Sequence, residues 1–206
     1  MEPSTLFGLI SLIIGLFGYY VYIKAMVKGQ NQPHLFSWLI WAIISAIIFV
    51  AQFTNHSGAG SWAAGITTLG CLSICFLSLK YGEKKITRGD IFALIFALCI
   101  IVIWQLTQNA LYAVLLAGLI DFTAYLPTLR KCWHKPYHEN ITGHIISIAK
   151  FVFAIAAIEH YSLITLFNPI VVVVMNIFLI TYLFIRRRIC TRHAAISKTI
   201  ISAPSA

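Results

Sequence analysis

Asp121, Lys150 and Asn176 are a carboxylate, an ammonium and a carboxamide, each set inside a long apolar run. Groups of these types can pair charge, hold a polar solute by hydrogen bonds, or carry a proton. Their depth follows from the ~1.5 Å rise of each helical residue, if the runs are helices. Asp121 precedes Arg130 by nine residues, which places it about 13–14 Å from that basic boundary. Lys150 follows Thr142 by eight residues, about 12 Å, and Asn176 precedes Arg186 by ten, about 15 Å. In a hydrocarbon core about 30 Å thick, all three lie near mid-depth. Equal depth predicts an Asp121–Lys150 ion pair, with Asn176 filling the remaining hydrogen-bond sites. Unpaired, each charge costs at least about 2.5–3.5 kcal/mol on insertion scales. Such a pair either locks two helices together or lines a solute pathway, and both readings stay open at this level.

The elements that position these groups are set by composition. Of 206 residues, 60% are apolar and 10% charged, with a mean hydropathy of +0.87, whereas a soluble domain carries about 25% charged residues. Runs of roughly 17–25 apolar residues cross a bilayer as helices. The expected spans are 5–27, 35–53, 60–80, 90–107, 110–129, 143–160 and 163–185. Short connections predict one all-α bundle without a soluble domain. The two-residue alternation of a membrane β-barrel is absent. With Glu2 as the only charge before it, the first span lacks the basic flank of a cleavable leader and is expected to stay as an anchor.

All but Lys150 of the fifteen lysines and arginines fall at alternate ends of the spans. They are Lys24 and Lys28; Lys80, Lys84, Lys85 and Arg88; Arg130, Lys131 and Lys135; and the tail from Arg186. Positive ends stay cytoplasmic, so the amino terminus is expected outside and the carboxyl terminus inside. The net charge of +9 then expresses topology, which gives no ground for nucleic-acid binding; the tail can also lie on anionic lipid. None of the five cysteines falls in an outer connection, so no disulfide framework is implied. Asn55-His56-Ser57 forms a glycosylation sequon on the outer side.

The chemistry of an enzyme is not legible. There is no GxSxG, P-loop or dinucleotide fingerprint. His134, His138 and Glu139 are interrupted by Pro136 and make a weak metal pattern, and His56 and His160 have no neighbours to complete a ligand set. The sequence therefore predicts no catalytic residue, metal or cofactor.

Sliding the chain on itself by 106 residues sets Tyr19 on Tyr125, Lys24 on Arg130, Ile40 on Ile146, Leu77 on Leu183 and Lys80 on Arg186. Identity is low; helix lengths and basic ends are what match. The expected organisation is a first three-helix repeat at 1–80, a linker helix at 81–109, a second repeat at 110–188 and a basic cytoplasmic tail at 189–206. One linker helix makes the repeats parallel, and parallel repeats with a site between them at mid-membrane are one plan of secondary transporters. The charges are not repeated: Gly15 falls opposite Asp121, Ile44 opposite Lys150, and Gly70 opposite Asn176. The first repeat instead carries Trp38 and Trp41; Trp38 suits the membrane interface, and Trp41, a turn deeper, is a candidate stacking wall. Pro127, next to Thr128, should loosen the cytoplasmic end of the fifth helix and is a candidate hinge. Asn168-Pro169 is expected to open the seventh.

This 3+1+3 plan, with its outside amino terminus and a proline in the first helix of a repeat, resembles the SWEET, SemiSWEET and PQ-loop membrane proteins and the related PnuC transporters. SWLIWA at 37–42, GAGSW at 58–62, the helix from Asp90 to Trp104, Asp121, Leu126-Pro127-Thr128, Lys131, Pro136 and Glu139 give a closer resemblance to uncharacterised bacterial PQ-loop-like proteins. The likeness covers all seven spans. The chain departs from it in having Pro127-Thr128 where those proteins have Pro-Gln, Val21-Tyr22 at the first-repeat position, and only Asn176 of the paired site asparagines. The resemblance implies alternating access by a bundle of two parallel repeats. The expectation is a facilitator-type transporter in a bacterial inner membrane, moving a small polar solute such as a sugar or vitamin-like compound through a site of Asp121, Lys150, Asn176, Trp41 and Gly70. A receptor or scaffold on the same fold is the alternative. The bilayer and the solute are the expected partners, with association into homo-oligomers left open.

Overall fold

A computed structural model describes residues 2–30, 33, 35–82, 88–107, 109–134, 136–138 and 141–202. The described residues are helical throughout apart from short connections: α1 Pro3–Val27, α2 Leu35–Thr54, α3 Trp62–Tyr81, α4 Arg88–Thr107, α5 Ala110–His134, α6 Ile141–Ala156 and α7 Leu163–Ser202. Short 3-10 turns occupy Gly58–Ser61 before α3 and Pro136–His138 after α5. α1, α2, the segment Gly58–Tyr81 and the stretch Leu163–Thr191 are each long and apolar enough to cross a membrane, as a membrane protein requires. Ala110–Asp121 and Ile141–Ala156 are shorter apolar helices. Phe76, Phe92 and Leu106 are 73%, 73% and 80% exposed, a surface that suits lipid contact and not water.

Local sequence explains several helix ends. Pro3 starts α1 at the position where its missing N–H is harmless. α7 begins with a reciprocal cap: Ser162 N–H donates to Thr165 Oγ1 at 2.9 Å, and Thr165 N–H donates to Ser162 Oγ at 3.3 Å. Pro169 thus lies inside α7 and does not open it, contrary to the sequence expectation. α5 continues helical past position 127 to His134, and α7 extends helically through the expected tail as far as Ser202. α6 ends at Ala156, four residues earlier than expected.

Packing follows small residues. Gly8, Ser11, Gly15 and Gly18 line one face of α1 and let it settle into the groove between α3 and α6. A Cβ at Gly8 would lie 2.7 Å from Ala59 Cβ, and one at Gly15 would lie 3.0 Å from Ile66 and 3.1 Å from Lys150 Cδ. α1 packs on α3 and α6, while α2 packs on α3 and α5. α5 and α6 both pack on α7, α2 also touches α7, and α3 touches α6. α4 lies outside these, against α2 and α5. An apolar core of Ile40, Ile44, Ile47, Ile48, Ala117 and Ile120 joins α2 to α5.

Candidate functional site

The α1 face that carries Gly15 ends at a buried ammonium. Lys150, on α6, is 6% exposed. Its stem crosses Gly15, and Ser11 Oγ donates to its backbone carbonyl at 2.8 Å. Its Nζ donates to Thr67 Oγ1 on α3 at 2.8 Å. Two rings flank the charge, Phe151 with its centroid at 4.4 Å and Tyr19 at 5.6 Å, both within cation–π range. Thr67 in turn donates its hydroxyl proton to Ala63 O at 2.6 Å, so its lone pairs face the lysine.

Gly70 makes this cage buildable. The sequence places Gly70 in the expected solute site; the space over it is taken by Tyr19, whose ring would lie 2.5 Å from a Cβ there. Tyr19 then reaches α3, its hydroxyl donating to Thr67 O at 3.4 Å and meeting Cys71 Sγ at 3.9 Å. Gly70 therefore acts on the site through Tyr19.

Asp121 lies elsewhere. Its Oδ2 accepts from Asn168 Nδ2 on α7 at 3.3 Å. Among the described residues no ion pair joins it to Lys150, so the expected pair is not formed in this conformation. Equal depth did not imply facing rotation: α6 turns Lys150 toward α1 and α3, while Asp121 on α5 turns to α7. Asn176 is also separate; its Oδ1 meets His144 Nδ1 at 2.7 Å, and its Nδ2 donates to Val172 O at 2.7 Å. The expected trio is thus three polar contacts on three helix seams.

Asn168 stands beside a proline inside α7. Pro169 has no N–H for the carbonyl of residue 165, four back in the helix. Gln52 of α2, 1% exposed, supplies the missing donor: its Nε2 reaches Thr165 O at 3.1 Å. The break in α7 is thereby closed by a neighbouring helix, one turn from the Asn168–Asp121 contact.

Trp41 stands edge-on to Trp38, centroids 5.2 Å apart, and Trp38 is 4.8 Å from Tyr22. This aromatic cluster joins the adjoining ends of α1 and α2. Trp41 also gives its carbonyl to Ser45 Oγ at 2.7 Å, and Ser45 receives Thr68 Oγ1 from α3 at 3.1 Å. The side chains of Pro127, Thr128, His134, His138 and Glu139 lie outside the described residues.

Sequence reasoning gave no site role to Thr67, Tyr19, His144, Asn168 or Gln52. Pro169 offered the one usable signal, since it implies an open carbonyl at 165, and Gln52 is a carboxamide in an otherwise apolar helix.

Two ties close the ends of the bundle. At the end bearing residues 55–61, Glu159 N–H donates to Ser57 O at 3.2 Å, and Ala59 N–H donates to Glu159 Oε1 at 3.4 Å. Gly58, at φ +58°, lets the Glu159 carboxylate press against the turn where a side chain would collide. Ser57 is fully buried beneath it, and Asn55 Nδ2 is engaged with Ala51 O at 2.8 Å, so the sequon is folded into the helix end. At the other end, Arg186 stacks on Trp133 with its guanidinium carbon 3.8 Å from the ring centroid and donates to Trp133 O at 2.7 Å. Arg187 donates to Pro136 O at 3.0 Å, and Tyr137 meets Thr191 Oγ1 at 2.9 Å.

No family model, curated protein or solved structure matches the chain, so its function is inferred from the chemistry of these seams.

Proposed function

We propose that this chain is a facilitator-type transporter for a small polar solute, working by alternating access in a bacterial inner membrane. Its amino terminus lies outside and its carboxyl terminus in the cytoplasm. Two parallel three-helix units, α1–α3 and α5–α7, rock against each other, with α4 as the linker that keeps them parallel, in the manner of the SWEET-like proteins.

The observation that carries this reading is the correspondence of helix seams when the two units are exchanged. In each unit the third helix packs on both of the others, α3 on α1 and α2, and α7 on α5 and α6. Between units, α1 on α6 is matched by α2 on α5, and α3 on α6 is matched by α2 on α7. This pairing is what a two-fold axis along the membrane normal, the geometry of parallel repeats, would produce. Polar groups bridge the units at two of these seams: Lys150 with Thr67 and Ser11, and Gln52 with Thr165. Intramembrane ionisable residues ordinarily mark pathways. Tyr19, the Lys150 ammonium and the Asp121–Asn168 contact supply the polar lining, and the Glu159 tie, which joins the two units, is an outer gate.

Purified protein in proteoliposomes, offered labelled hexoses, disaccharides, nucleosides, amino acids and pyridine vitamins, tests the reading. Saturable uptake of one class, lost in Lys150→Ala protein that still elutes as a folded species, is the expected result. Folded protein that moves none of them above empty liposomes favours a receptor or scaffold.

A further inference from the structure

Arg186 is a cation held in place with most of its donors unspent. A guanidinium carries five N–H donors in a planar fork. One of them, on Nη2, reaches Trp133 O at 2.7 Å, and the guanidinium carbon sits 3.8 Å from the centroid of the Trp133 ring. The Nε atom is buried and, among the described residues, has no acceptor. Among the described residues no carboxylate pairs with Arg186. Buried donors are ordinarily satisfied, so this guanidinium stands ready for an anion that the chain itself does not supply.

Its surroundings say which kind of anion. Arg187, next along α7, donates from Nε to Pro136 O at 3.0 Å and lies 5.4 Å from the Tyr137 ring centroid. The Tyr137 hydroxyl donates back to Arg187 O at 3.2 Å. Carbonyls and ring faces from the end of α5 and the turn after it thus hold both arginines, so little side-chain freedom is left to lose on binding. In sequence, 130–139 and 186–192 contain seven lysines and arginines and a single carboxylate, Glu139. The corner is also greasy: Trp133, Tyr137, Phe184 and Ile185 are 52%, 60%, 53% and 53% exposed. Exposed indole and phenol rings beside fixed cations, at the end of apolar spans, are the composition of a membrane interface. Arg186 therefore stands at headgroup level, with Phe184 and Ile185 on the acyl side of it.

We infer that this corner, where α7 meets the end of α5, binds the phosphodiester headgroup of an anionic phospholipid, of the phosphatidylglycerol type. The remaining N–H groups of Arg186 take the phosphate oxygens, Trp133 backs the guanidinium, and the acyl chains lie along Phe184 and Ile185. Arg187 and Arg188 strengthen the field without having to touch the phosphate. Phosphatidylcholine offers the same phosphate, but its choline ammonium would face this run of arginines, a like-charge arrangement that disfavours it. A soluble phosphate would gain nothing from the apolar side of the corner. The bound lipid touches both helices and so clamps the end of α5 to α7. The inference stands apart from the transport reading, since a receptor or scaffold built on this chain would carry the same corner.

The test is thermal unfolding of the full-length protein in a nonionic detergent at fixed ionic strength. The probes are dioleoyl phosphatidylglycerol, dioleoyl phosphatidylcholine, glycerol phosphate and inorganic phosphate. A ligand that binds only the folded state raises Tm, and the concentration dependence of the rise gives its apparent affinity. The expected result is a saturable rise with phosphatidylglycerol and no comparable rise with the other three. Arg186→Gln should weaken the apparent affinity for phosphatidylglycerol about tenfold or more, as the loss of a charged hydrogen-bonding partner does. Arg188→Gln removes the same charge from an exposed position on the same turn and should weaken it far less. Equal losses in the two variants would mean diffuse attraction to a basic surface and overturn the site. A rise of the same size with phosphatidylcholine overturns it as well. So does a matching rise with either soluble phosphate, which would make the corner a site for free anions. The wild-type series decides the matter even where a variant fails to fold.

Discussion

At Gly70 a single hydrogen atom decides how the cage is built. A methyl group there would meet the Tyr19 ring at 2.5 Å, and the ring cannot shorten. Gly70→Ala should therefore destabilise the protein by about 1–3 kcal/mol, the usual range for overpacking. Tyr19→Ala should remove most of that penalty in the double variant, measured by thermal unfolding in detergent. An equal loss in both backgrounds would mean that the contact is not the cause. Lys150 and Asp121 were legible in the sequence as residues out of place in apolar runs. What it could not give was rotation. Successive helical residues turn by about 100°, so an error of one or two positions in a helix's facing sends a side chain to a different neighbour. Asn176 meets His144 and not Asp121 for this reason, and Thr67 carries no signal in the sequence because a threonine in a membrane helix ordinarily bonds its own backbone.

At the level of elements, α7 depends on α2 for its integrity. Gln52→Leu should leave Thr165 O buried without its donor, a loss of about 1–3 kcal/mol. Pro169→Ala restores the helical N–H to that carbonyl. The two changes should therefore couple: Gln52→Leu should cost markedly less in the Pro169→Ala background, as a double-mutant cycle of unfolding free energies would record. Additive effects would show that Gln52 serves some other group. The Glu159 tie makes a second prediction. Glu159→Ala should free the Ser57 turn, so that a cysteine at position 57, in a protein without other cysteines, reacts faster with an impermeant maleimide than it does beside Glu159. Unchanged protection would place the gate elsewhere. The helices themselves were readable because hydropathy and length determine them; α6 fell short of its expected end because the buried Ala157 and Ile158 turn into the connection that carries the exposed Glu159.

For the whole molecule, the basic ends predict an orientation. An amino-terminal cysteine should be labelled by impermeant reagent in intact cells, and Cys190 only after permeabilisation. The opposite pattern would invert the assignment of inner and outer ties. The halves of the chain correspond in the pairing of their seams, although α6 and α7 run 16 and 40 residues where α2 and α3 run 20 each, and the likeness stops at the polar groups. The first half has Gly15, Ile44 and Gly70 where the second has Asp121, Lys150 and Asn176. Sequence register could reveal that asymmetry; only the packing shows its direction.

That direction has a consequence for how such a protein could be divided. The second half leaves polar atoms open, and the first half closes them. Thr67 receives the Lys150 ammonium, Ser11 caps the Lys150 carbonyl, Gln52 covers the carbonyl freed by Pro169, and Ala59 answers Glu159. Two copies of 110–206 could not serve each other in this way, because their own counterparts of Thr67, Ser11 and Gln52 are Val173, Ala117 and Ile158. The halves have become complementary parts. Expressed as separate polypeptides, 1–109 and 110–206 should accumulate only together, each acting as the other's obligatory folding partner.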